Sequence, residues 1–162
     1  MKRLFGLIIV LMVTSAVFAE LNEKQNQLRS DIMNFLSEEG FRPELDDDGE
    51  IAFKREGVVW YIRVSDVDSV PMYVSLALYY TYNDLYTRQF VSESLGQLND
   101  FKAVKTSLYG KSYSYRAEMY LNEANTFNDV FYKLVDQILS MKKELNEMAY
   151  KKQNQNDNQP KE

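Results

Sequence analysis

The chain has neither cysteine nor histidine in its 162 residues. Without thiols there can be no disulfide framework, cysteine nucleophile or iron–sulfur cluster. Without imidazole the commonest general base, the usual zinc ligand and the usual haem ligand are missing as well. What remains for catalysis is Ser–Lys, Asp/Glu and Tyr chemistry, so most familiar enzyme classes are closed. Positive charge is also short, with 19 basic against 24 acidic residues. An acidic surface repels phosphodiester backbones, so nucleic acid is not an expected partner.

Long apolar runs are nearly absent too; the one exception is Leu4 to Val13, interrupted only by Gly6. Lys2 and Arg3 precede it, and Val17-Phe18-Ala19 supplies small or β-branched residues where a signal peptidase reads. Basic, apolar, small-residue order is the layout of a secretory signal peptide. The run is too short for a bilayer-crossing helix, which needs ~20 apolar residues. The expectation is therefore cleavage after Ala19 and export, with the periplasm as destination and no stable membrane insertion afterwards. The alternative is an uncleaved segment acting as a tether. Loss of Lys2 and Arg3 with the leader turns the net charge of −5 into −7 and leaves 143 of the 162 residues, enough for one domain.

Composition supports a core without disulfides: 45% of residues are hydrophobic, with 12 tyrosines and 9 phenylalanines. From Leu21 to Glu39, Leu28, Ile32, Phe35 and Leu36 recur at helical spacing, and Gly40 suits the left-handed position past a helix end. Asp46 to Gly49 reads as a turn. Alternation then predicts strands, with Ile51 and Phe53 on one face of the first and Val58, Trp60, Ile62 and Val64 on one face of the second. Glu56-Gly57 turns between them. Met72 to Tyr80 is a third strand, and Asn83 is the expected N-cap of a helix carrying Phe90, Val91, Leu95 and Leu98. Phe101–Tyr109 and Ser112–Leu121 form a hairpin about Gly110-Lys111. A long helix from about Asn125 ends the domain at residue 150, and residues 151–162, without an apolar side chain, are expected to be disordered. The order α-β-β-β-α-β-β-α is that of an α+β domain, an antiparallel sheet covered by helices.

The stretch from Phe35 to Val64, FLSEEGFRPELDDDGEIAFKREGVVWYIRV, resembles the opening of the YbjN-type sensory-transduction-regulator family. The resemblance lies in a helix ending Glu-Glu-Gly-Phe, a proline-containing link, an acidic turn and a strand of the form I-x-F-K-x-E-G. It implies the fold shared with type III secretion chaperones: small homodimers that bind other proteins or peptides and have no catalytic site. Those chaperones act in the cytoplasm, and the leader departs from that pattern. What carries over is an exported, chaperone-like binding module.

Candidate sites are few. Asp46, Asp48, Gly49 and Glu50 invite a calcium reading, but glycine falls at the fourth rather than the sixth position and Gly57 at the twelfth, so an acidic turn is the better reading. Glu38 and Glu39 are adjacent on a helix and cannot flank one bond. Neither Ser92-Glu93-Ser94 nor Lys102 to Lys105 offers a nucleophile–base pair. No metal or cofactor is expected. Tyr61, Tyr73 and Tyr79 alternate out of phase with the core residues, so they predict an exposed tyrosine strip suited to protein or sugar contact. The expectation is a non-enzymatic module that binds a protein or peptide through that strip. A small carboxylate-dependent hydrolase or carbohydrate-active protein is the rival.

Overall fold

The computed structural model describes residues 23–65, 71–98, 101 and 103–157. The leader, its cleavage position and the last residues of the polar tail lie outside that set. Helix α1 covers residues 23–38. It is followed by β1 (Glu44–Leu45), β2 (Ile51–Arg55), β3 (Val58–Val64) and β4 (Met72–Thr81). Then come α2 (Arg88–Ser94), a 3₁₀ turn (Leu95–Leu98), β5 (Val104–Leu108), β6 (Ser112–Leu121) and α3 (Ala124–Asp157). The strands form one six-stranded sheet in the order β1-β2-β3-β4-β6-β5, every neighbouring pair antiparallel. This is the α+β architecture that the alternation implies, with one strand more than expected. Two residues after Pro43 pair with β2 and form β1.

Local chemistry sets the turns. Gly40 has φ 85°, Phe41 N–H donates to the Leu36 carbonyl (2.9 Å) and Gly40 N–H to that of Ser37 (3.1 Å). These are the paired bonds of a Schellman stop, and only glycine takes that backbone conformation without strain. The β2–β3 hairpin turns on Glu56 (φ 53°) and Gly57 (φ 80°), the doubly left-handed turn whose twist matches two paired strands.

One face of the sheet carries the core. Phe53, Trp60, Ile62, Leu76, Leu78 and Tyr115 are almost fully buried there, Trp60 at 1% exposure. Against them pack Ile32 and Leu36 of α1, Val91 of α2, and Phe127, Phe131 and Ile138 of α3. Trp60 stacks on Phe53 (centroids 6.3 Å apart), which in turn meets Phe41 at 5.2 Å and Phe131 at 5.9 Å.

Three boundaries differ from expectation. Asn83 does not cap α2: its Oδ1 accepts from the N–H groups of Leu85 and Tyr86 in a local turn, and Thr87 is the N-cap, accepting from Phe90 N–H at 3.1 Å. Asn and Thr are both good caps, and sequence alone does not say which one faces free helical N–H groups. Strand β5 begins at Val104, not Phe101, because pairing with β6 starts at the Val104–Ala117 position. Helix α3 runs on to Asp157, through residues expected to lack structure. Adding residues to an established helix is far cheaper than nucleating one. Lys152 also gains contacts, lying 5.2 Å from the Phe90 ring centre and 3.8 Å from Glu93.

Candidate functional site

The face of the sheet opposite the core is the candidate site. Register places its residues in rows. Ala52, Tyr61, Ala77, Arg116 and Lys105 lie side by side across β2, β3, β4, β6 and β5. A neighbouring row runs Arg63, Ser75, Glu118, with Glu50 just ahead of β2 beside Arg63. Among the described residues, the apolar side chains of all three helices join the core cluster. None makes a hydrogen bond, ion pair or ring contact with a side chain of this opposite face.

In place of a helix, the face is covered by its own long side chains. Tyr61 and Tyr79 meet edge to face with centroids 5.4 Å apart, and Tyr79 and Tyr109 are 6.2 Å apart. The Arg116 guanidinium lies 5.9 Å from the Tyr79 ring and 5.5 Å from the Tyr109 ring, and it donates to both phenolic oxygens. This aromatic–guanidinium cluster shields Ala77 and Ser114, which are 1% and 0% exposed although no described helix lies over them. Tyr79 and Tyr109 themselves remain exposed.

Of the three tyrosines singled out from the sequence, Tyr61 and Tyr79 therefore come together. Tyr73 does not join them: six residues from Tyr79 along β4, it sits roughly 20 Å away at ~3.4 Å per residue. It pairs with Tyr120, centroids 5.7 Å apart, and Tyr120 is 68% exposed, the most of the large hydrophobic side chains among the described residues. Sequence reasoning missed Tyr109, Arg116 and Tyr120. The strand phase was available for Arg116 and Tyr120, since both alternate with the core residues Tyr115, Ala117 and Leu121. What the phase did not give was the pairing of β4 with β6, which brings them beside the tyrosines of β4.

Charges on the face are arranged in pairs. Arg63 binds the buried Glu50 carboxylate through Nε (2.5 Å) and Nη2. Glu118 accepts from Lys105 Nζ at 2.6 Å and lies 3.7 Å from Arg116 Nη1. Burial pushes the Glu118 carboxyl up, but hydrogen bonds from Lys105 and Tyr73 and the nearby cations outweigh it and hold the group below its ordinary value. Burial, then the hydrogen bond to Glu118, pushes the Tyr73 phenol up to about 12. An ionised Glu118 has no proton to give as a general acid. Glu50 and Glu118 are three strand spacings apart, roughly 14 Å between Cα atoms at ~4.8 Å each. Glycosidase carboxyl groups stand ~5–9.5 Å apart. Each carboxylate is also taken by its own cation, Glu50 by Arg63 and Glu118 by Lys105.

The acidic turn holds itself together. Asp46 Oδ1 accepts from the N–H groups of Asp48 (3.0 Å) and Glu50 (2.8 Å). Among the described residues no three carboxylates converge on a common point. Glu39 accepts from the Tyr132 hydroxyl of α3, which ties α1 to α3. No helix among the described residues is long and apolar enough to cross a membrane.

No protein-family model and no curated protein matches the chain. Among solved structures it is similar to the crystal structure of an uncharacterized protein from Methanothermobacter thermautotrophicus, at 15% identity and a TM-score of 0.57. The match covers 76% of this chain and 97% of the archaeal one. At that identity the likeness shows the fold alone.

Proposed function

We propose that this chain is a non-enzymatic module that binds a protein or peptide, and that the uncovered sheet face is its docking surface. One observation carries the reading. Five exposed or half-buried tyrosines and Arg116 occupy a sheet face that no described helix covers. Tyrosine and arginine are enriched at interface hot spots because they offer large, stiff contact area with polar tips. Export through residues 1–19, a working place in the periplasm, self-association as a homodimer and kinship with the YbjN-type chaperone-like family belong to the same proposal. The leader pattern supports the first two and the Phe35–Val64 resemblance the others.

The test is the triple change of Tyr61, Tyr73 and Tyr79 to serine. Circular dichroism should stay native, because all three lie outside the core cluster. Capture of partners from the cell envelope, or self-association in sedimentation, should fall at least tenfold, as expected from truncating hot-spot residues worth ~2 kcal/mol each. Native folding with unchanged capture and association would reject the docking surface.

A further inference from the structure

The docking face differs in charge from the rest of the molecule. Across β1 to β6 it carries Lys54, Arg63, Lys105 and Arg116 against Glu44, Glu50 and Glu118. That is an excess of one cation in a chain whose net charge is −5, so all other residues together sum to −6. At the β1–β2 edge the face runs into a groove of about 480 Å³. Its walls include Phe41, Ala52, Phe53 and Val59, and its rim carries Arg42 and Lys54 facing a single acid, Glu44. Arg42 and Lys54 thus flank the apolar groove, and the cations beside the tyrosine cluster are those already paired with Glu50 and Glu118.

Resting on the docking role just proposed, we propose that the partner is an acidic polypeptide segment with an apolar side chain that seats in the Phe41–Val59 groove. Carboxylates on such a segment meet Lys54 and Arg42, both exposed, while Arg63 neutralises Glu50 and Lys105 with Arg116 neutralises Glu118. Complementary charge of this kind steers association and rejects partners of the wrong sign. A nucleic acid would have to approach through the negative field of the rest of the chain, and it offers no apolar side chain to the groove. A second copy would set one cationic face against another.

The experiment uses the full chain and three short fluorescein-labelled peptides: one alternating Glu with Leu and Tyr, one with Gln at every Glu position, and one with Lys there. Anisotropy titrations should show the Glu peptide binding roughly five- to tenfold tighter than the Gln peptide, the size expected of a few exposed ion pairs. The advantage should shrink as added salt brings the Debye length below ~8 Å. The double variant Arg42→Gln, Lys54→Gln touches no core residue and should remove most of the preference while leaving circular dichroism unchanged. Equal binding of the Glu and Gln peptides, with loss of both in Tyr61→Ser/Tyr79→Ser, would overturn the acidic partner and leave the docking face standing. Binding indifferent to the tyrosine change as well would overturn both. Preference for the Lys peptide, or retention of none of the three, overturns the inference. So does a dimer in sedimentation that the tyrosine change abolishes, since it would make a second copy the occupant.

Discussion

Replacing Trp60 by alanine tests the core on which the docking face depends. The side chain is 1% exposed and is held between its strand neighbours and Phe53, whose ring also contacts Phe41 and Phe131. A large aromatic buries about 150–250 Å², worth ~4–6 kcal/mol at ~25 cal/mol per Å². Compactness of the unfolded chain reduces that to about 3–5 kcal/mol, the range found for large aromatics truncated in cores. Single domains retain only about 5–15 kcal/mol in total. The variant should therefore be barely folded, its urea midpoint lower by roughly 1.5–2.5 M for a slope near 2 kcal/mol per M. Circular dichroism must follow the transition, because the chain's one tryptophan is the residue removed. Trp60→Phe keeps a ring against Phe53 and should lose less than half as much. Wild-type fluorescence should be blue-shifted in the folded state. A loss under about 1 kcal/mol for Trp60→Ala would refute the account of a single aromatic core under α1 and α3.

Two smaller effects follow from local geometry. Gly57→Ala forces a Cβ into a left-handed turn and should cost about 1 kcal/mol, whereas Glu56→Asn, better suited to φ 53°, should be neutral or slightly stabilising in the same urea titration. The Glu118 carboxyl, held below its ordinary value of 4.5, stabilises the fold above that pH and loses its contribution as pH falls through the depressed folded value. The melting temperature of Glu118→Gln should therefore fall less than that of the wild type as pH drops below 4.5, and parallel curves would contradict the Lys105–Tyr73–Glu118 network.

Alternation was enough to place Trp60, Ile62, Leu76 and Leu78 inward and Tyr61 and Tyr79 outward, because side-chain period in a strand is fixed by the backbone. Strand neighbours were not legible. Whether β4 sits beside β5 or β6 depends on how α2 carries the chain across the sheet, and no residue pattern records that crossover. That is why the Tyr79–Arg116–Tyr109 cluster was out of reach. Strand β1 was missed because two residues hold no period. The helical end of α3 was missed because composition describes the isolated segment and not one attached to a folded helix.

The docking claim is tested most directly by site-specific photocrosslinking in living cells. A benzophenone-bearing residue is placed in turn at Tyr61, Tyr79 and Tyr120 on the uncovered face, and at Tyr132 and Tyr150 on α3. All five variants should fold, since each of these side chains lies outside the core cluster. Adducts of defined mass should form from the sheet positions and be absent or weak from the two helix positions. Adducts confined to Tyr132 and Tyr150, or equal from both sides, would contradict the assignment of the tyrosine face as the surface through which this protein works.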